Sequence, residues 1–220
     1  MPGIFMFDAY GTLFDVHSAV MRAGASLGPK AGELSALWRA KQLEYSWTLT
    51  AMGQSASADF WQLTQRALDF ALERFDVREP ALRSALLDAY RTLNAFAEVP
   101  DTLSQLKATG HRTAIFTNGT RGMIEDAIRA AHLGRLIDQV ITVEETGVFK
   151  PAMSVYAHAA QAAGMTSRRE ITFFSSNRWD VAGAAAAGFS PIWVNRAGQP
   201  DEYPALAPLR VIPDLRNLLA

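Results

Sequence analysis

Cysteine is missing from all 220 residues, so the chain has no disulfide, no thiol nucleophile and no thiolate metal site, a composition that fits a reducing compartment. Net charge is nearly missing too. Lys and Arg number 21 against 22 Asp and Glu, leaving −1, so neither nucleic acid nor anionic lipid is the partner this surface would grip. No apolar run approaches the roughly 20 residues that cross a bilayer, and the opening MPGIFMFD lacks the basic flank of an export signal. A cytoplasmic protein with a small-molecule partner is the expectation. Internal repeats and low-complexity tracts are also wanting, and AGAAAAG at 182 to 188 reads as a helix packed tightly on a sheet. Four histidines, His17, His111, His132 and His158, show no ligand spacing with one another or with acidic residues and read as ordinary helix or strand-edge residues.

What is present is enough apolar material for a core, 49% of residues against 20% charged, in a length that suits one α/β domain with a sizeable insertion. The apolar run at 3 to 7 reads as a strand. Residues 16 to 97 then read as helices: 16 to 27, 33 to 52, 58 to 75 and 80 to 93. In the second of these, Leu34, Leu37, Trp38, Tyr45 and Leu49 recur near helical spacing, with Lys41 interrupting the stripe. From Val99 onward strand and helix alternate. PDTLSQLKATG is a helix with Pro100 at its start and Gly110 at its C-cap. HRTAIFTN, DQVITV, EITFFSS, SPIWVN and LRVI are strands, the last two short and buried, while RGMIEDAIRAAHLG, the stretch from Pro151 to Ala163, and WDVAGAAAAG are helices. Such alternation predicts a parallel sheet covered on both faces. The organisation is therefore a core from residues 1 to 15 and 98 to 220, interrupted by a helical insertion at 16 to 97.

Ligands of an open parallel sheet bind outside the carboxyl ends of its strands, so what each strand delivers there is informative. The first delivers Asp8 and then Thr12; the second Thr117, Asn118 and Gly119; the loop after the third Lys150; the fourth Ser175, Ser176, Asn177 and then Asp180. Gly11 permits a tight turn after Asp8 that would aim backbone N–H groups inward.

In this order, FDAYGTLFD, FTNG, VFKP and SSNRWD resemble the four motifs of the haloacid dehalogenase superfamily across the whole core. The resemblance implies a Rossmann-like α/β core with an inserted all-helical cap. It also implies Asp8 as nucleophile, with Thr117 and Lys150 supporting it and Asp180 in the last acidic motif. Phosphatase members carry an acid two positions after the nucleophile, where this chain has Tyr10, and an acidic pair for Mg²⁺ where it has Ser175, Ser176 and Asn177. Losing hard oxygen ligands disfavours Mg²⁺. A halide leaves without a proton, so displacement from carbon tolerates both losses. LWRAKQLEYSWT at 37 to 48 is similar to the tract in the 2-haloacid dehalogenase branch that swings an arginine over the nucleophile. That arginine is Arg39, with Leu43 one turn on helping to dry the pocket. Ala40 stands where some members have Gln, and Thr117 where most have Ser.

The implied chemistry is hydrolysis of short (S)-2-haloalkanoic acids through an ester on Asp8, with inversion and no cofactor. Lys150 would fix one Asp8 oxygen while Thr12 and nearby N–H groups hold the other. The substrate carboxylate would meet the N–H groups of Ala9, Tyr10 and Gly11 together with Thr117 and Asn118 at a helix N-terminus. Arg39 and Asn118 would receive the halide, against an apolar wall of Phe174 and Trp179. Asp180 would orient or deprotonate the water with Ser175 and Asn177, and Tyr156 would order that network. Rival readings are a fluoroacetate dehalogenase of the same mechanism, a Mg²⁺-dependent phosphatase or phosphonatase, and a degenerate member serving as a binding module. Similar proteins are often homodimers, and exposed apolar residues of the 58 to 75 helix could serve that contact.

Overall fold

The computed structural model describes residues 3–218; the outermost ends of the expected core segments, 1–2 and 219–220, lie outside them. Six parallel strands, β1 (Ile4–Phe7), β2 (Arg112–Thr117), β3 (Gln139–Thr142), β4 (Ile171–Ser175), β5 (Ser190–Val194) and β6 (Arg210–Ile212), lie in the order β3-β2-β1-β4-β5-β6. The strand order reverses at β1, whose neighbours β2 and β4 register Phe7 opposite Ile115 and Phe174. That central position explains the unbroken IFMF: β1 is covered on both faces, so both need apolar side chains. β6 departs from the expectation of a buried strand. It is an edge, with Arg210 and Val211 exposed and only Ile212 buried, as befits a three-residue strand with one neighbour.

Between β1 and the core's first helix run α1 (Ser18–Ala23), α2 (Ala31–Ala51), α3 (Phe60–Arg74) and α4 (Pro80–Arg91), which pack chiefly on one another as an all-helical cap. The first is shorter than expected because Gly24 and Gly28 break it, and a 3₁₀ stretch with Gly28 at φ +52° carries the chain to α2. Asp59 caps α3 by a reciprocal box, accepting from Gln62 N–H while the Gln62 side chain accepts from Asp59 N–H. Pro80 opens α4 at a position where no amide is needed. The buried face of α2 is not the stripe its leucines suggest. Leu34, Ser35, Trp38, Gln42 and Ser46 are buried, whereas Leu37, Tyr45 and Leu49 are only half-buried. Polar side chains therefore occupy the inner face of a helix that packs on α3.

Two short segments join cap to core. Phe14 and Ala95 form an antiparallel bridge, Asp15 N–H donates to Asn94 O, and Phe96 N–H donates to Leu13 O. The core continues with α5 (Val99–Ala108), α6 (Arg121–Ala130), α7 (Met153–Ala162) and α8 (Arg178–Ala186). Pro151 does not open α7, which begins at Met153 after a cis Lys150–Pro151 bond.

Candidate active site

The site forms where the strand order reverses, outside the carboxyl ends of β1 and β4. Asp8 extends β1 by one ladder bond to Phe174 O, 2.8 Å. The chain then folds back so tightly that Thr12, Leu13 and Phe14 N–H all donate to Ala9 O. Gly11 makes this possible at φ +89°. Its own N–H is spent on Phe14 O at 2.8 Å, so Gly11 offers no donor to an anion. Ala9 and Tyr10 N–H are the ones with no backbone acceptor among the described residues.

The two oxygens of the buried Asp8 carboxylate have different surroundings. Oδ2 accepts from Asn177 Nδ2 at 2.8 Å, from Thr12 Oγ1 at 3.0 Å and from Ser175 Oγ at 3.4 Å. Thr12 donates there because a carboxylate oxygen only accepts, and Ser176 N–H donates to the Thr12 hydroxyl at 2.8 Å, holding it in place. Side chains rather than backbone amides thus hold this oxygen, and Ser175 and Asn177 serve Asp8, not Asp180 as the sequence suggested. Among the described residues Oδ1 meets only Lys150 Nζ, at 3.4 Å. One oxygen is saturated and the other retains free lone pairs.

Lys150, 1% exposed, spends its other donors on Phe116 O at 2.7 Å and Asp180 Oδ2 at 2.9 Å, and lies 4.0 Å from the Phe116 ring centroid. Its backbone N–H donates to Asn118 Oδ1, which fixes which end of the Asn118 amide carries the oxygen. Asp180, in the first turn of α8, receives Tyr156 Oη on Oδ1 at 2.6 Å. Burial pushes the Asp180 carboxyl up to about 6, with the Asp8 charge adding to the rise and Lys150 opposing it. Tyr156 is itself pushed up, by burial first and then by Asp180. The small-residue stretch of α8 exists to admit this tyrosine: a Cβ at Gly183 would stand 2.3 Å from Tyr156 Oη.

The cap supplies the other wall. Arg39 donates from one terminal nitrogen to Tyr10 O at 3.1 Å and from the other to Gln42 Oε1 at 2.6 Å. Tyr10 is buried against the cap, stacked on Tyr90 with centroids 5.8 Å apart. Asp8, Tyr10, Thr117, Asn118, Lys150 and Asn177 from the core enclose, with Arg39, Leu43 and Phe60 from the cap and with Trp179, a cavity of about 10 Å³. That is room for roughly one water. A wider groove beside it shares Arg39, Asn177 and Trp179.

Most residues picked from the sequence converge here, with instructive exceptions. Phe174 is no wall of the cavity: strand alternation turns its ring onto Phe7 and Phe5, 4.7 and 5.6 Å between centroids, away from the pocket. Phe60, at the start of α3, lines it instead and was not anticipated. Thr117 and Asn118 precede the N-cap of α6, which is Thr120. Asp180 and Tyr156 stand behind Lys150 and do not line the cavity. Trp179 meets Trp47 of the cap edge-on at 5.3 Å. His17 pairs with Ser35 and His158 lies near Glu145, both outside the site. Among the described residues no three His, Asp or Glu side chains gather as a metal site. The Lys150 ammonium occupies the space between the two carboxylates, so the donor set does not fit a divalent cation.

A parallel sheet with a carboxylate at its central strand end, a buried lysine beside it and a helical cap over both defines a hydrolase of the haloacid dehalogenase type. The family model for haloacid dehalogenase-like hydrolases matches residues 3–188, and the chain belongs to that family. Among its relatives is (S)-2-haloacid dehalogenase 1 of Pseudomonas sp. (strain CBS-3), 48% identical over 93% of this chain and 89% of that one. A crystal structure of a dehalogenase with an intermediate complex superposes with a TM-score of 0.94 at 41% identity, covering 98% of this chain and 94% of the other. The L-2-haloacid dehalogenase of Xanthobacter autotrophicus with chloropropionic acid covalently bound gives 0.85 at 31% identity, covering 99% and 97%.

Proposed function

We propose that this chain hydrolyses short (S)-2-haloalkanoic acids to (R)-2-hydroxyacids through an ester on Asp8, without a metal. The observation that carries the reading is the asymmetry of Asp8, which lines the cavity together with Arg39: Oδ2 is saturated by Thr12, Ser175 and Asn177, while among the described residues Oδ1 is held by Lys150 alone. Oδ1 attacks C2 from behind the carbon–halogen bond, forming the C–O bond as the halide leaves with the bonding pair. Arg39 and the Asn118 amide receive the developing charge, a stabilisation greater in the transition state than before it. Ala9 and Tyr10 N–H and the Thr117 hydroxyl hold the substrate carboxylate. Leu43, Phe60 and Trp179 dry the pocket.

Water then attacks Cγ of the ester; its proton is relayed through Lys150, which stands between Asp8 and Asp180, to the Asp180 carboxylate, whose proton affinity burial has raised into the working range, and the departing hydroxyacid oxygen takes a proton back by the same route. Acyl cleavage leaves the C2–O bond intact, so the single inversion of the first step survives. Tyr156 and Lys150 hold Asp180 in place for this step. The cavity admits a water but not a haloacid, so the cap, which we take as residues 16–97, opens to load substrate.

The relative of strain CBS-3 supports the substrate class, and the covalently bound chloropropionic acid in the Xanthobacter structure supports the ester. The test is halide release from (S)-2-chloropropanoate in excess EDTA, with the (R) enantiomer alongside. Release from (S) alone, yielding (R)-lactate, is expected; loss of activity in EDTA or equal use of both enantiomers would overturn the reading. A cytoplasmic homodimer completes the proposal. No helix among the described residues is long and apolar enough to cross a membrane, and Trp47, Met52 and Phe70 are exposed on the cap. Light scattering should give twice the 24.0 kDa chain mass.

A further inference from the structure

Gln42 is 1% exposed on a helix face that sequence periodicity would fill with leucine. A buried amide without partners costs more than the hydrogen bonds it makes return, so its partners indicate why it is there. Thr64 Oγ1 donates its proton to Phe60 O at 2.7 Å, within α3. It can therefore only accept from Gln42, and Gln42 Nε2 lies 2.6 Å away. Tyr90 Oη lies astride the amide, 3.0 Å from Nε2 and 3.2 Å from Oε1, and can meet either atom, so it is Thr64 that fixes which way the amide points. With the nitrogen fixed on that side, Oε1 is forced to the other, where it accepts from Arg39 at 2.6 Å. The threonine's committed proton sets the orientation of the amide, and the amide sets the orientation of the guanidinium.

The second tether closes the circuit. Arg39 also donates to Tyr10 O, and the Tyr10 ring stacks on Tyr90, the same tyrosine whose hydroxyl bonds the Gln42 amide. Burial pushes the Tyr90 hydroxyl up from its ordinary value, against the opposing charge of Arg39, so it stays a neutral partner at working pH. Helices α2, α3 and α4 each contribute one side chain, Gln42, Thr64 and Tyr90, and none of the three lines the cavity. Gln42 is three residues past Arg39, on the same face of α2. A leucine there would bury as well and hold nothing.

We propose that Gln42 is a positioning residue for the displacement step, presenting Arg39 to the departing halide through an amide that Thr64 locks in one orientation. The proposal rests on the reading of Arg39 given above. Positioning of a charge-stabilising cation acts most where the leaving group carries most charge and departs least readily, so chloride depends on it more than bromide. A role in packing alone slows both halides equally.

The experiment is halide release in the first turnover, which isolates ester formation from the later hydrolysis. It compares (S)-2-chloropropanoate with (S)-2-bromopropanoate for Gln42→Leu, Thr64→Val and Arg39→Gln. Loss of a direct donor to developing charge costs on the order of 100-fold, and Arg39→Gln should show about that with chloride and less with bromide. Gln42→Leu should cost about tenfold with chloride and at most threefold with bromide, and Thr64→Val, which frees the amide to turn, a smaller loss with the same chloride bias. Should Gln42→Leu fail to fold, the chloride bias of Thr64→Val decides alone. An equal loss on both halides for the Gln42 and Thr64 variants, with the bias retained by Arg39→Gln, overturns the positioning role and leaves the Arg39 reading standing. Absence of bias in Arg39→Gln overturns both.

Discussion

Core and cap build their halves of the site by opposite means. The core half is ionic and dry: Asp8, Lys150 and Asp180 are each at most 6% exposed, and one ammonium answers two carboxylates. The cap half is a single half-buried arginine tethered by neutral groups, a glutamine amide and a backbone carbonyl. Buried charge tolerates no loosening, because an unpaired ion in the interior costs several kcal/mol. Neutral tethers can part and re-form at little cost. The half that holds the nucleophile is fixed by charge, and the half that moves in the proposed loading of substrate is fixed by dipoles.

Substitutions can break that contrast or sharpen it. The largest effect belongs to Asp8→Asn, which removes the nucleophile and should lower halide release at least about 10⁴-fold with the circular dichroism spectrum unchanged. Next is Lys150→Met, which strands two carboxylates and should cost about 3–5 kcal/mol of stability in thermal or urea unfolding. Arg39→Gln, in the cap, should barely move the unfolding midpoint. An Arg39 variant as destabilised as the Lys150 variant would erase the distinction between the halves. Gly183→Ala should cost about 1–3 kcal/mol by overpacking. Adding Tyr156→Phe should recover only part of it, since the ring carbons Cζ and Cε2 would still stand 2.7 and 3.0 Å from the new methyl.

The smallest effect is a pH dependence. Asp180 titrates near 6 when folded against 3.8 as a free group, so between these values the folded chain holds a proton the unfolded chain has released. The stability it contributes is full below about 4 and lost as pH rises through 6. Ester hydrolysis runs the other way, with an acid limb in kcat near 6. Unfolding midpoints of wild type and Asp180→Asn should diverge between pH 4 and 7; parallel curves would mean that the carboxyl is not buried as described.

The core half was legible in the sequence because topology does most of the placing. A strand ending in Asp8, or a loop delivering Lys150, has only the carboxyl edge of a parallel sheet to go to. Residues of the cap were harder, since a helical insertion can dock in many ways: Phe60 gives no local sign that it lines a cavity, and Gln42, a polar residue, gives no local sign that it is buried. Phe174 was a poor choice of wall because its ring, inside the strand, packs on the sheet face against Phe5 and Phe7, whereas the cavity sits beyond the strand ends and is walled by Phe60 of the cap. The Gly11 turn was recognised but not its hydrogen-bond partner, which is set by how tightly the loop closes on Ala9.

The chain order of the sheet bears on how the protein is made. β1 is synthesised before both of its partners, β2 and β4, which begin at Arg112 and Ile171. At about 5–20 residues per second, IFMF waits on the order of 10–30 s for its second neighbour, while the cap, complete by residue 91, is ready to fold well before. The central strand of the sheet therefore waits longest for its neighbours during translation, with the whole cap sequence emerging in the interval.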